Sequence, residues 1–289
     1  MLQAIVNGLL VGSLYSIIGT GLSLSFSLLH VIDMAVGDWI MMGAYIGCFV
    51  SLFKLDPFVA IPGAFIIFIP VGYLIYRKFI SRVLKNDFSG VLMTIVLTFG
   101  FSTVLRGSGL IFFGSTYRRA KSILLGRAID LPIIGVRIPM VRLIVGLMGI
   151  TILIGLFLFL KKTKIGNAIR AISQDMFAAK LMGIKTDKVL GLTYGISLTI
   201  TAIAGIALSS FVAVYPEMGI TYTLFAFFIV VLAGVGYLPG VIIGGIVLGM
   251  VESFTSYFFS DLYVHITVFS FLYLVLLISP SGIFRKGKI

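Results

Sequence analysis

The chain has 289 residues, of which 60% are hydrophobic and 11% are charged, and its formal net charge is +12. Its mean hydropathy is +1.18, which excludes a soluble domain, because the surface of such a domain must be mostly polar. Nearly uncharged runs of about 18 to 25 residues recur, the length needed to cross a hydrocarbon core of about 30 Å. Alternating ten-residue strands are not seen. The sequence therefore predicts an all-α, polytopic membrane protein.

In chain order, the apolar segments that can cross a membrane are 4–28, 35–53, 58–76, 90–112, 141–160, 190–213, 221–233, 240–258 and 264–279. The first lacks a basic region and an obvious cleavage site, so we interpret it as a span and not as a signal peptide. The run 221–233 is too short to cross alone and is followed by GVGYLPG, which favours a half-helix or a strongly tilted span. We expect about eight or nine membrane segments in a single domain covering residues 1–289.

Basic residues cluster at 77–85, 118–142, 161–188 and 285–288. Basic loops favour the cytoplasm, and alternation of the spans places the first, third and fourth clusters there. The C-terminus is then cytoplasmic, and the N-terminus is external if all segments cross. The external loop, about 114–140, conflicts with this rule, but its prolines and glycines predict that it is folded. Acidic lipid headgroups are a sufficient partner for the positive charge, and nucleic acid is not expected.

The polar loop 161–189 contains one helical pattern. Its apolar residues Ile165, Ile169, Ile172, Met176 and Ala179 are spaced 4, 3, 4, 3, which predicts one stripe of an α-helix. Gly183 suits a left-handed position after that helix, and Ile184 can make the hydrophobic contact of a Schellman cap. Thr186 can cap the next helix. The loop can lie on the cytoplasmic leaflet or present a rigid projection to a cytosolic partner.

Ionisable groups inside a membrane cost several kcal/mol unless they are paired or solvated. Glu252 can line a translocation path or hold helices together, and we favour the second role. Arg106 is close enough to the external end of its span to extend its charge to the interface. Asp33 and Asp38 flank the turn after the first span, where they can line a cytoplasmic exit or, as we favour, cap the following helix.

Glycines suggest further sites. The spacings Gly240-x-x-x-Gly244 and Gly245-x-x-x-Gly249 allow close helix crossings, which we assign to packing within the bundle rather than to a subunit interface. By analogy with broken helices in other transporters, the turn at 234–236 is a candidate for backbone that faces the pathway. The single cysteine, Cys48, excludes a disulfide within one chain, and the two histidines form no cluster with metal-ligand spacing.

Five segments in order resemble one family. They are NGLLVGSLYSIIGTGLSLSFSLLHVIDMAVGDWIMMGAY (7–45), VLTFGFSTVLRGSGLIFFG (96–114), KIGNAIRAISQDMFAAKLMGIKTDKV (164–189), LAGVGYLPGVIIGGIVLGMVES (232–253) and SPSGIF (279–284). Together they resemble the branched-chain amino acid permeases of ABC importers, of the LivH/LivM type, which include urea and short-amide permeases. One departure concerns the substrate: residues 33–37 read DMAVG, where many members have NFAHG.

The resemblance implies that the loop 161–189 couples the chain to a separate ATPase. Ala178, Ala179 and Gly183 match the A-A-x-x-x-G part of the coupling motif, and Phe177 stands where many ABC permeases have Glu. The residues assigned to coupling are Ile172, Met176, Phe177, Ala178, Ala179, Gly183 and Ile184. Those assigned to the pathway are Asp33, Gly234, Gly236 and Glu252.

The implied assembly contains two ABC ATPase subunits, a second permease (identical or different), and an extracytoplasmic substrate-binding protein, all at the cell membrane. No cofactor is expected in this chain, and ATP is expected to be used by the partners, because no G-x-x-x-x-G-K-[ST] loop is present. The alternatives are a secondary transporter or channel acting alone, which needs coupling groups at mid-membrane depth, and a membrane enzyme, for which no catalytic constellation is seen.

Overall fold

All nine predicted segments are helical in the computed structural model, which describes residues 1–29, 32–84, 90–123, 126–131, 136–234, 236–279 and 282. In chain order, the α-helices are α1 Leu2–Leu29, α2 Val36–Leu52, α3 Ile61–Ile75, α4 Ser81–Val83, α5 Gly90–Phe113, α6 Met140–Lys162, α7 Lys164–Gln174, α8 Met176–Leu181, α9 Thr186–Ser209, α10 Met218–Ala233, α11 Leu238–Phe258 and α12 Val264–Ile278. Helices α7 and α8 lie in the connection between two membrane segments, α6 and α9. The predicted polytopic helical fold is confirmed. The C-terminal basic cluster 285–288 and His30 lie outside the described residues.

Helices α1 and α9 form the centre of the bundle. Helix α1 packs against α11, α9, α6 and α10, and α9 packs against α2 and α3. Glycines allow these close crossings: a Cβ at Gly245 would lie 2.3 Å from the backbone nitrogen of Ser16, and one at Gly249 would lie 2.4 Å from Cα of Gly12. This confirms that Gly245 and Gly249 serve packing within the bundle, here between α1 and α11.

The connection between α5 and α6 contains a feature that the sequence did not predict. Strand β1 (Ala128–Leu131) pairs antiparallel with β2 (Val136–Pro139), in the register Ile129 opposite Ile138. The hairpin is tied to the start of α1, because the Gln3 side chain exchanges hydrogen bonds with the backbone of Arg137. The bundle therefore has a hairpin end, which includes the start of α1, and a loop end, which carries residues 161–189.

Two of the nine membrane segments, α2 and α10, are shorter than the rest. Turns of 3₁₀ and π helix extend α3 (through α4) and α12 into continuous helical spans of 27 residues (Pro57–Val83) and 18 residues (Asp261–Ile278). Helix α2 has 17 residues and α10 has 16, or about 25 Å of axial length each, below the hydrocarbon thickness of about 30 Å. Within the described residues, seven other helical spans are long and apolar enough to cross a membrane. The short α10 agrees with the predicted half-helix, whereas α2 was predicted as a full span. Both short helices begin inside the bundle, beside one another: Gly37 donates its N–H to Thr223 Oγ1 at 3.0 Å.

Candidate functional site

The loop 161–189 contains two helices where the sequence pattern predicted one. Helix α7 is capped by Thr163, whose Oγ1 accepts from Gly166 N at 2.9 Å, and it ends at Gln174. Asp175 is extended and begins α8: its Oδ1 accepts from Phe177 N at 2.8 Å and from Ala178 N at 3.0 Å. The single-helix prediction is wrong at this residue, because a carboxylate that accepts two backbone N–H groups stabilises a new helix start.

The turn after α8 has the predicted geometry. Gly183 has φ of 81°, its N–H donates to Lys180 O at 3.0 Å, and Ile184 N donates to Ala179 O at 3.1 Å. These two bonds define a Schellman motif. The predicted cap at Thr186 is wrong, however: Lys185 occupies the capping position of α9 without a side-chain bond, and Thr186 is the first helical residue.

The predicted apolar stripe of the loop faces the chain's own membrane helices only in part, because its members Ile165 and Met176 are exposed. Ile172 and Ala179 are each only 4% exposed and pack in a cluster with residues of α3 and α9. A second set of large apolar side chains faces outward instead: Phe177 is 71% exposed, Leu181 73% and Met182 83%. Met176 and Ala178 are also exposed. The free apolar surface of the loop is therefore the tip formed by Phe177, Leu181 and Met182, which we call the loop tip.

Asp33 lies in the turn between α1 and α2, deep in the bundle. Its Oδ1 accepts from Ala35 N at 2.9 Å, and its Oδ2 accepts from the Tyr194 hydroxyl at 2.9 Å. Tyr194 is eight residues from the start of α9, or about 12 Å along the helix axis. Asp33 thus stabilises the turn before α2, close to its predicted capping role, although Ala35 occupies the capping position itself. The carboxylate also joins that turn to α9.

Asp38 and Arg106 form an ion pair inside the bundle. Arg106 Nε lies 3.2 Å from Asp38 Oδ1, and the two side chains are 28% and 1% exposed. Arg106 also donates to Ser102 Oγ. The expectations that Asp38 caps a helix and that Arg106 extends to the external interface are therefore wrong, since each charge has its partner on a neighbouring helix. Gly219 in the first turn of α10 approaches this pair closely, because a Cβ there would lie 2.3 Å from Asp38 Oδ1.

The glycines at the α10–α11 connection have the backbone expected of a tight turn. Gly234 and Gly236 have φ of 85° and 86°, in the left-handed region that glycine tolerates; Val235 between them lies outside the described residues. The turn follows the C-terminus of α10, and Gly282 packs against Gly234. It connects two helices near the loop end. Non-helical backbone also lies inside the bundle at the buried Asp33 turn, which the sequence predicted as the turn between the first two spans.

Glu252 lies at a different place from the other predicted pathway residues. It lines a cavity of about 500 Å³ toward the hairpin end, formed by α1, α6, α9, α10, α11 and α12. Its Oε2 is buried and has no hydrogen-bond partner among the described residues. The residues that line the cavity include Asn7, Tyr15, Arg142 and Tyr222, none of which the sequence singled out. Of these residues, Asn7 could have been recognised from the sequence, because it is an amide side chain within an apolar segment.

Comparisons with known proteins agree with the family resemblance. The family model described as branched-chain amino acid transport system / permease component matches residues 4–279. The chain is 28% identical to the high-affinity branched-chain amino acid transport system permease protein BraD of Pseudomonas aeruginosa, over 100% of this chain and 97% of that protein. It is also 28% identical to LivH of Escherichia coli K12, over 100% and 96% of the two chains.

A more distant relative is the ribose import permease protein RbsC of Haemophilus influenzae, 25% identical over 86% of this chain and 76% of that protein. The family match extends across all nine long and short membrane helices, including the two that begin inside the bundle. The chain belongs to the branched-chain amino acid transport permease family.

Proposed function

We propose that this chain is the membrane-spanning subunit of an ATP-driven importer that moves branched-chain amino acids or a related small polar solute. The family match and the functions for which its relatives are named support the transport class and the solute. One structural observation supports the ATP-driven mechanism: three large apolar side chains project from a polar loop, at 71–83% exposure. An exposed apolar patch of this kind marks an interaction surface.

The partner of the loop tip is an ABC ATPase subunit in this proposal. The tip is held rigidly on its own chain, because the Asp175 cap and the Gly183 turn fix both ends of α8. A single residue, Thr163, connects the loop to α6, and residues 182–185 connect it to α9. Displacement of the tip is therefore transmitted to these two helices rather than absorbed by a flexible linker.

Helix α9 can carry that displacement to the deep junction. Its Tyr194 hydroxyl donates to Asp33 in the turn from which α2 begins, and α2 contacts the first turn of α10 at Gly219. The Asp33 turn and the short helices α2 and α10 are then the parts that rearrange between inward-open and outward-open states. ATP can drive this exchange only through its differential affinity for the two states. A second permease and an extracytoplasmic binding protein complete the assembly.

Two alternatives remain outcomes of the test. The loop tip can insert into the lipid headgroup region, or the chain can act alone as a secondary transporter. We therefore replace one tip residue by a charge, Leu181→Asp, and one exposed polar residue of the same loop, Gln174→Asp, as the control. Tagged chains are isolated from native membranes, and the ATPase activity and the copurified proteins are measured.

The proposal expects an ATP-hydrolysing subunit to copurify with the wild-type chain and with Gln174→Asp, and to be lost from Leu181→Asp. Uptake should be lost with it, while the thermal unfolding midpoint stays unchanged because Leu181 is exposed. Equal recovery of the ATPase with all three chains would show that the loop tip does not contribute to binding the ATPase. Recovery of the chain alone, with intact uptake driven by an ion gradient, would establish the secondary transporter.

The predicted orientation needs its own measurement. With Cys48 replaced by alanine, a cysteine is introduced at Met182 or at Tyr117, both exposed. If residues 161–189 are cytoplasmic and residues 114–140 are external, an impermeant thiol reagent labels Tyr117→Cys in intact cells, and labels Met182→Cys only after permeabilisation. The reverse pattern would invert the whole topology, including the C-terminus.

A further inference from the structure

The cavity beside Glu252 carries opposite charges that do not neutralise one another. Glu252 lies on α11 and Arg142 in the first turn of α6, and both side chains line the cavity. No salt bridge within 4 Å joins Glu252 to Arg142, in contrast to Arg106 and Asp38, whose charged atoms lie 3.2 Å apart. The two charges in the cavity therefore remain apart, with space between them. Charges of both signs separated across a cavity are suited to a solute that carries both signs itself.

The acidic side of the cavity has free hydrogen-bond acceptors. Glu252 Oε2 and Asn7 Oδ1 are both buried, and neither has a hydrogen-bond partner among the described residues. Leaving a buried polar atom unpaired is unfavourable, so a ligand that donates hydrogen bonds to these atoms would be stabilised. An ammonium group offers three donors and no acceptor, which fits this side of the cavity. The phenol of Tyr15 lies beside the same carboxylate.

One part of the cavity wall is apolar. It is formed by Leu208, Phe211, Val212, Phe225 and Val264. A volume of about 500 Å³ falls in the range of about 300–1,000 Å³ that is typical of small-molecule sites. At the rim lie Asp261 and His265, both exposed. The cavity thus opens at the hairpin end, on the side where the proposed importer receives its solute.

We infer that this cavity is a binding recess for a zwitterionic α-amino acid with an apolar side chain. Glu252 and Asn7 accept hydrogen bonds from the ammonium group, Arg142 pairs with the carboxylate, and the apolar wall contacts the side chain. This inference rests on the proposed import function and specifies its solute class. It also assigns Glu252 to the solute, in contrast to the helix-holding role that the sequence favoured.

The test measures binding of three ligands to the transporter isolated from native membranes and reconstituted in lipid nanodiscs. L-leucine has both charges, leucinamide lacks the carboxylate, and 4-methylpentanoate lacks the ammonium group. The variants are Glu252→Gln and Arg142→Gln. Glu217→Gln and Arg127→Gln are the matched controls, since both residues are exposed and neither lines the cavity.

We expect L-leucine to bind the wild type and both controls. Each cavity variant should weaken L-leucine by about tenfold or more. The losses should be selective: Glu252→Gln should leave the weaker binding of 4-methylpentanoate unchanged, and Arg142→Gln should leave that of leucinamide unchanged. A variant that merely loosens the bundle would weaken all three ligands together and lower the unfolding midpoint.

Four results would overturn the inference. One is the absence of L-leucine binding, and another is equal loss of all three ligands with a lower unfolding midpoint, which would return Glu252 to a helix-holding role. The third is copurified phosphatidylethanolamine that L-leucine cannot displace, which would make the occupant a lipid. ATP-driven uptake that persists in both variants would refute the recess and leave the importer standing. Selective L-leucine binding without ATPase activity or uptake would support the recess and refute the importer.

Discussion

The loop 161–189 and the junction where α2 and α10 begin both interrupt the membrane helices, but they are stabilised by different kinds of contact. In the loop, every capping bond joins residues at most five positions apart, as in Asp175 with Ala178 and Ala179 with Ile184. At the junction, Asp33 bonds to Tyr194 across 161 positions, and Gly37 bonds to Thr223 across 186. The loop is thus organised by its local sequence, whereas the junction exists only when the bundle is assembled.

This difference separates local from global stability. Substitutions at the junction leave buried polar groups unpaired or force helices apart, so they act on the free energy of unfolding of the whole bundle. Substitutions in the loop act on an exposed element that can open locally without unfolding the bundle. The four variants below test this distinction, from the largest expected effect to the smallest.

The crossing of α2 and α9 has no space for a side chain at Gly205. A Cβ there would lie 1.9 Å from the carbonyl oxygen of Ile40, so Gly205→Val must push the two helices apart. We expect destabilisation of more than about 4 kcal/mol, seen as loss of the monodisperse peak in size-exclusion chromatography. Gly155→Val is the control, because a Cβ at Gly155 has no atom within 4 Å. Normal folding of Gly205→Val would show that α2 is not fixed against α9.

The Asp38–Arg106 pair should have the next largest effect. Arg106→Gln leaves the Asp38 carboxylate, 1% exposed, without its counter-charge, and removing one partner of a buried pair costs about 3–5 kcal/mol. The unfolding midpoint in detergent measures this loss. Adding Asp38→Asn should restore most of it, because no unpaired charge then remains. Arg77→Gln, at an exposed position, should change nothing. If the double variant is as unstable as the single one, the ion pair is not the cause.

Removing the hydrogen bond between Tyr194 and Asp33 should destabilise the junction less than removing the ion pair. Tyr194→Phe removes the donor to Asp33 Oδ2 while keeping the ring, and an unsatisfied buried acceptor costs about 1–3 kcal/mol. We expect a lower unfolding midpoint and slower uptake, since the contact joins α9 to the start of α2. Tyr237→Phe, 40% exposed, is the control. A lower midpoint with unchanged uptake would limit the Tyr194 contact to stability and remove it from the transmission path.

The same difference explains what the sequence could predict. Hydropathy predicted the helix boundaries to within a few residues, as in the predicted 90–112 and the observed Gly90–Phe113. This works because the length and composition of a segment decide whether it can cross the membrane. The Gly183 turn was predictable because its bonds are local. The partners of Arg106 and Asp33 were not, since each lies on a helix distant in sequence. The cavity was missed for the same reason: six helices contribute to it, and only Glu252 stood out.

The smallest effect is expected at the cap of α8. Asp175→Ala removes the acceptor for Phe177 N and Ala178 N, which costs about 1 kcal/mol, or about a fivefold increase in opening. Amide hydrogen exchange of α8 should rise by that factor, whereas the global unfolding midpoint stays constant because α8 is exposed. Asp175→Asn keeps a capping oxygen and should exchange like the wild type. A lower global midpoint in Asp175→Ala would show that the loop is part of the cooperative bundle, and the separation between local loop and assembled junction would then fail.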